Sequence, residues 1–432
     1  MYKYVLLLFL VAFLLKPAAL EDSSSSSSSS SEEDSEENHG ISGKVHFKNC
    51  ANQKCSGKQE KSVVCYFTNW AWYRSGIAKF RPENITASLC THIIYAFASL
   101  DETTLTIVPS DSWADIDNKF FELVTALKEY GLTVLIGIGG WNNSAGNRWS
   151  RLLSNSTART AFVASVITFM KKYNFDGLDM DYEYPGCPQG NRTAGLPTDS
   201  ENFNCLMSEL KTAFEEKYLL TAATAGGKKL IDECYNMKEL CQIVDWVNVM
   251  AYDYHSSADG ETGANAPTCG TNSSWGAVET IKYYINELEC PADKIVLGIP
   301  FYGQTFTMVD TSPAQFGVPV SGPGTAGTYT SNAGTLAYYE ICLLIKSGYN
   351  YGYSPINDSY AWSGNQFISY DSPTDIIRKS CLINKWFNLK GAMFWTLDYD
   401  DFSDACGCGS YPLLTTLNQE LRCLNSSRIQ CY

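Results

Sequence analysis

Eight apolar runs recur along the chain, at residues 62–69, 90–100, 133–140, 177–183, 219–226, 246–253, 294–301 and 391–398. Each has the length and the Val, Ile, Phe and Tyr content of a buried strand. Between them the apolar spacing turns helical. In TAFVASVITFMKKYN, for example, Phe162, Val166, Phe169 and Met170 share one helical face. Strands alternating with helices predict an α/β chain whose parallel sheet closes into a (β/α)8 TIM barrel, with its chemistry at the carboxyl ends of the strands. One connection breaks the rhythm. From Phe301 to Ile376 the chain is too long for a plain loop, so a small α+β domain is expected to be inserted at about 303–372. In it, YYEICLLIKSG reads as a helix and YAWSGNQFISYD as a β-hairpin turning at Ser363-Gly364-Asn365.

The fourth run carries acids where a buried strand should have none. It reads DGLDMDYE from Asp176 to Glu183 and stops at Tyr184-Pro185. A strand alternates its faces, so Asp179, Asp181 and Glu183 point one way, about 6.5–7 Å apart, and Leu178, Met180 and Tyr182 the other. Three crowded carboxylates cannot all ionise freely, so at least one is expected to hold its proton near neutral pH, as a general acid must. An acidic turn or calcium loop would leave Leu178 and Met180 unexplained. Asp176, of opposite parity, is expected to order the start of the strand.

The amino terminus, MYKYVLLLFLVAFLLKPAAL, has the charge, short apolar core and small residues of a secretory leader over 1–20. Its apolar core falls short of the roughly 20 residues that span a bilayer. Residues 21–43 hold nine consecutive serines and then SEEDSEEN, and are expected to be disordered. Residues 44–432 would form the barrel with its insertion. The formal charge is -14; without Lys3 and Lys16 of the leader it is -16, and without the seven acids of residues 21–37 it is -9 for the body. An acidic body argues against nucleic acid or an anionic membrane as partner. A neutral polymer would be tolerated, and 27 Tyr, 20 Phe and 10 Trp suit stacking against sugar rings as well as a core.

DGLDMDYE matches the DxxDxDxE signature of the family-18 glycoside hydrolases, the chitinases. The resemblance extends over Ser62 to Leu414, with FTNWAWYR, THIIYAFA, GIGGWN, MAYDYH, LGIPFYGQTF and GAMFWTLDYDDF in the family's order. It implies Glu183 as general acid, and the substrate's own acetamide, held by Asp181, as nucleophile. Asp179 would share a proton with Asp181, and Tyr252 would touch the acetamide oxygen. It implies Trp395 as the floor under the sugar, where the alternative is a core Trp. Tyr66, Phe97, Gly140, Trp141, Met250, Asp253, Tyr302 and Met393 would complete the binding site. No cofactor and no metal are called for. The expected partner is chitin and its N-acetylglucosamine oligomers, and the expected state is a secreted monomer.

Three positions depart from the family pattern: Gly137 for Ser, Gln304 for Arg in LGxPxYGR, and Ser256 for Gly. Gln304 would lose a contact to a bound sugar. The sixteen cysteines, an even count, fit an oxidising compartment. The resemblance implies bridges Cys65–Cys90 and Cys342–Cys406, while Cys187–Cys205 and Cys234–Cys241 stand as local candidates. Cys406-Gly-Cys408 could suggest a metal site, but with only four histidines in the chain disulfides are favoured. The same scarcity argues against a Ser-His-Asp hydrolase. N-x-S/T sequons begin at Asn84, Asn142, Asn155, Asn191, Asn272, Asn357 and Asn425; Asn142, beside Trp141, is expected to stay bare. Only Cys423 and Cys431 follow the last helix, so no Cys-dense binding module is expected after the barrel. Competing functions are a silent chitin-binding lectin, which typically lacks one of the acids retained here, and an endoglycosidase of N-glycans.

Overall fold

The computed structural model describes residues 61–423 and Cys431, apart from 190–191, 272–273, 312 and 357. The expected leader, the Ser/acidic segment, Cys50 and Cys55 lie outside the described residues.

All eight apolar runs form strands: Ser62–Thr68, His92–Leu100, Thr133–Gly139, Gly177–Asp181, Leu219–Ala225, Trp246–Met250, Ile295–Pro300 and Gly391–Trp395. Each pairs in parallel with the next, and the first also pairs with the eighth, which closes the barrel. They are numbered here from first to eighth. Alternation along each strand divides two cores. Val64, Tyr66, Ile94, Leu135, Trp246, Val296 and Met393 fill the inside. Val63, Cys65, Phe67, Ile93, Tyr95 and their equivalents meet the outer helices. The helix Ser156–Tyr173 buries Phe162, Val166, Phe169 and Met170, the face predicted. Asp176 accepts the backbone N–H of Val134 at 2.9 Å and pairs with Lys128 at 2.6 Å, so it does anchor the start of the fourth strand. Among the described residues no helix is long and apolar enough to cross a membrane.

The long connection forms a second, antiparallel sheet, consistent with the expected insertion. Tyr302–Met308 lies between Val320–Pro323 and Gln366–Tyr370, followed outward by Ser359–Ser363 and Asn350–Tyr353. The hairpin pairs Ser363 with Gln366 across Gly364 and Asn365. Gly364 has φ +55°, the left-handed backbone that a two-residue hairpin turn needs. The helix Tyr338–Lys346 lies in the same segment. This unit is fastened to the barrel twice. Cys342 is bridged to Cys406, beyond the eighth strand. Asp371, at the close of the insertion, forms a buried ion pair with Lys379 of the helix Pro373–Cys381.

The bridges Cys65–Cys90 and Cys342–Cys406 are present as expected. The local candidates require correction. Cys187 bonds Cys234, and Cys241 bonds Cys290. Cys205 is left as an exposed thiol because its place on the helix Asp199–Phe214 turns it to solvent. Cys408 joins Cys431, so the Cys-Gly-Cys pair serves two bridges.

Candidate active site

The fourth strand, entirely buried, delivers the acids to the mouth of the barrel. Asp179 lies deepest. Its register neighbours are Gly137 on one side and Thr221 on the other. A Cβ at Gly137 would come within 3.0 Å of the Phe97 ring, so glycine there gives that ring its room. Three donors hold the Asp179 carboxylate: Tyr66 Oη at 2.6 Å, Thr221 Oγ1 at 2.5 Å and Asn248 Nδ2 at 3.0 Å. Burial raises its pKa, and these hydrogen bonds pull against the rise.

Asp181 stands one layer higher, and its Oδ1 has no hydrogen-bond partner although it is buried. Burial holds its pKa well above the ordinary carboxyl value, with Glu183 and Asp179 adding charge repulsion. Glu183 lies past the end of the strand, its backbone N–H donating to Ser144 Oγ at 2.9 Å. Its pKa is pushed up to about 8, first by withdrawal from water and then by the charge of Asp253. Asp181 and Glu183 both line the cleft, and charge repulsion couples Asp181 to Asp179 below it and to Glu183 beyond it.

Tyr252 and Asp253 follow the sixth strand. The Tyr252 hydroxyl has only a 3.9 Å contact to Met393 Sδ and otherwise faces the cleft. Asp253 opens on the cleft with φ +57°, and it accepts Tyr302 Oη and Gln304 Nε2, both at 2.7 Å. Gln304, the expected loss of a sugar contact, thus serves as a clamp on Asp253.

The floor is aromatic. Trp395 lies 5.7 Å from Phe97 in a stacked arrangement, and Phe97 stacks on Trp70 at 6.0 Å. Gly140 has φ +75°, and a Cβ there would sit 2.5 Å from the same Phe97 ring. Cis peptide bonds occur at Ala96–Phe97, Glu183–Tyr184 and Trp395–Thr396, each beside a cleft residue. The cleft encloses about 1170 Å³ over Asp181, Glu183, Met250, Tyr252 and Trp395, with Trp141 54% exposed on its rim. That volume slightly exceeds the range of ordinary small-molecule pockets. Two predicted binding residues lie elsewhere: Tyr66 and Met393 are buried beneath the floor and support it.

The model for glycosyl hydrolases family 18 matches residues 62–400. The chain belongs to glycosyl hydrolases family 18. Among its family 18 relatives, "Probable chitinase 10" of Drosophila melanogaster is 49% identical over 370 residues, 83% of this chain but only 16% of that much longer protein. Catalytic domain 2 of the Ostrinia furnacalis Group II chitinase superposes with a TM-score of 0.83 at 41% identity, covering 86% of this chain and 99% of that one. Human YKL-39, described as a pseudo-chitinase with retained chitooligosaccharide binding, gives 0.76 at 33% identity, over 84% of this chain and all of the other. Family 18 thus includes both cleaving and silent proteins.

Several residues of this family 18 site escaped sequence reasoning. Asn248 and Thr221 break otherwise apolar strands at inward positions, which was a readable signal. Ser144, Trp70 and Trp275 carried none, since their roles depend on loops meeting over the barrel mouth.

Proposed function

We propose that the chain is a secreted chitinase that hydrolyses β-1,4 linkages between N-acetylglucosamine units with retention of configuration. The observation that carries this reading is the pair of acids in the cleft: Asp181, buried with an unpartnered oxygen, and Glu183, whose pKa is pushed up to about 8 by burial. Glu183 gives its proton to the leaving glycosidic oxygen. The acetamide oxygen of the sugar over Trp395 attacks the anomeric carbon, closing an oxazolinium ring as the glycosidic bond breaks. Asp181 accepts the acetamide N–H and balances the positive charge, helped by the proton it shares with Asp179. Tyr252 donates its hydroxyl to the attacking oxygen. Glu183, now a carboxylate, takes a proton from the water that opens the ring. No enzyme carboxylate becomes a nucleophile, as in the substrate-assisted exceptions among glycosidases.

Secretion agrees with the leader and with the five disulfides described above, which suit an oxidising compartment. The enzyme acts as a monomer, since one chain supplies every group named. A silent chitin-binding lectin is the second reading, prompted by the pseudo-chitinase relative. Incubation of the purified protein with chitin oligomers, with products and anomers resolved, separates the two: β-anomeric shorter oligomers support the enzyme, and intact but bound oligomers support the lectin.

A further inference from the structure

One stretch of the cleft wall carries basic side chains, Arg192, Lys228 and Lys229. Trp395 ends the eighth strand and Glu183 follows the fourth, on the opposite side of the barrel. If the sugar being attacked lies on Trp395 and the leaving oxygen faces Glu183, the departing units extend over the loops that follow the fourth and fifth strands. Those connections, the fifth strand's running into the helix Lys228–Cys234, contribute Arg192, Lys228 and Lys229 to the cleft wall, with Trp275 beside them. Trp275 is held in place: its Nε1 donates to Gly226 O at 3.2 Å and Thr280 Oγ1 at 2.7 Å, and its ring meets that of Tyr283 edge to face at 5.9 Å. Arg192 is neutralised by Glu233 at 2.7 Å. Lys228 is paired with Asp232 and donates to Tyr283 Oη at 3.0 Å. Lys229 is exposed, lines the cleft, and has no ion pair among the described residues.

We infer that Lys229 makes the departing half of the cleft select against glucosamine. A deacetylated unit carries an amine that is cationic in mildly acidic solution, whereas an N-acetylated unit is neutral. Without Lys229 the carboxylates of Asp253 and Asp259, which line the same cleft, would draw that amine in. An unpaired ammonium on the wall reverses the preference locally while leaving the neutral sugar to stack on Trp275. This rests on the proposed chitinase activity and specifies which polymer that site will cut.

The test is digestion of partially deacetylated chitin at low ionic strength, with both new ends of every product sequenced by mass spectrometry. For the wild type, the first two units at new non-reducing ends should be depleted in glucosamine relative to the polymer. Lys229→Gln should raise that share about 1.5- to 5-fold, the range expected for one exposed charge pair. Lys229→Glu should raise it further, and high salt should bring all three together. Equal shares in wild type and both variants at low salt would overturn the inference. New reducing ends report separately on the attacked sugar: glucosamine there would refute substrate assistance without touching Lys229. Should the protein cleave nothing, binding of partially deacetylated against fully acetylated oligomers by the same variants reads the selectivity directly, and equal affinity ratios would again overturn it.

Discussion

Gln304 Nε2 donates to Asp253 Oδ1 at 2.7 Å, placing a neutral clamp on a carboxylate whose charge helps keep the proton on Glu183. Among the groups facing Asp253 are Tyr302, Gln304, Tyr252, Tyr184, Tyr399 and Glu183. Burial raises the pKa of Asp253, and the hydrogen bonds from Tyr302 and Gln304 pull against the rise. A cation at position 304 would offset its field. Glu183 acts protonated, so activity is present below about 8 and lost as pH rises through that value. Gln304→Arg should therefore move the alkaline limb of kcat/KM down by roughly half a unit to one unit, the equivalent of about 0.7–1.4 kcal/mol of added field. A pH–rate profile of the variant checks this; an unchanged limb would show that Asp253 does not communicate with the acid.

Removing the proton itself has two readouts. Glu183→Gln should cut turnover about 100- to 10,000-fold or more while oligomer binding persists. Its stability should also change with pH in a defined direction. The native carboxyl titrates near 8, against the model value of 4.5. A carboxyl raised in the folded state contributes stability below its unfolded pKa and loses it as pH rises through the folded one. The wild type should thus lose stability between about pH 4.5 and 8, and the glutamine variant should lose less. Melting temperatures of both proteins across that window decide it.

If the acetamide is the nucleophile, a glucosamine over Trp395 cannot be cut, because an amine offers no carbonyl oxygen. New reducing ends should be wholly N-acetylated and fully deacetylated chitosan should resist. A thiazoline mimic of the oxazolinium should inhibit, and Asp181→Ala should abolish both that inhibition and most activity.

Trp395→Ala should weaken oligomer binding and slow turnover together, since the ring that stacks on Phe97 is the surface on which the sugar distorts. Circular dichroism guards the result: a folded variant with normal kinetics would remove Trp395 from the site.

The barrel could be read from the chain because each strand repeats one local signal, an apolar run of fixed length between helical spacings. The run of acids was equally legible, because parity along GLDMDYE is a property of the strand alone. What could not be read are pairings that only the closed barrel creates. Cys187 is nearer to Cys205 than to Cys234 along the chain, yet a solvent-facing helix position removes Cys205. Gln304 is visible as a departure, but its partner lies 51 residues away, past a strand of the other sheet. Tyr66 was placed on the cleft surface by resemblance; its hydroxyl is committed to Asp179 beneath the floor.

The two fastenings of the insertion, Cys342–Cys406 and Asp371–Lys379, tie its helix and its closing strand to elements around the eighth barrel strand. One tie is covalent and the other is a buried ion pair, so the inserted sheet has little freedom to swing away from the barrel. Its first strand carries Tyr302 and Gln304, and the two donors therefore meet Asp253 at a fixed place on the cleft wall.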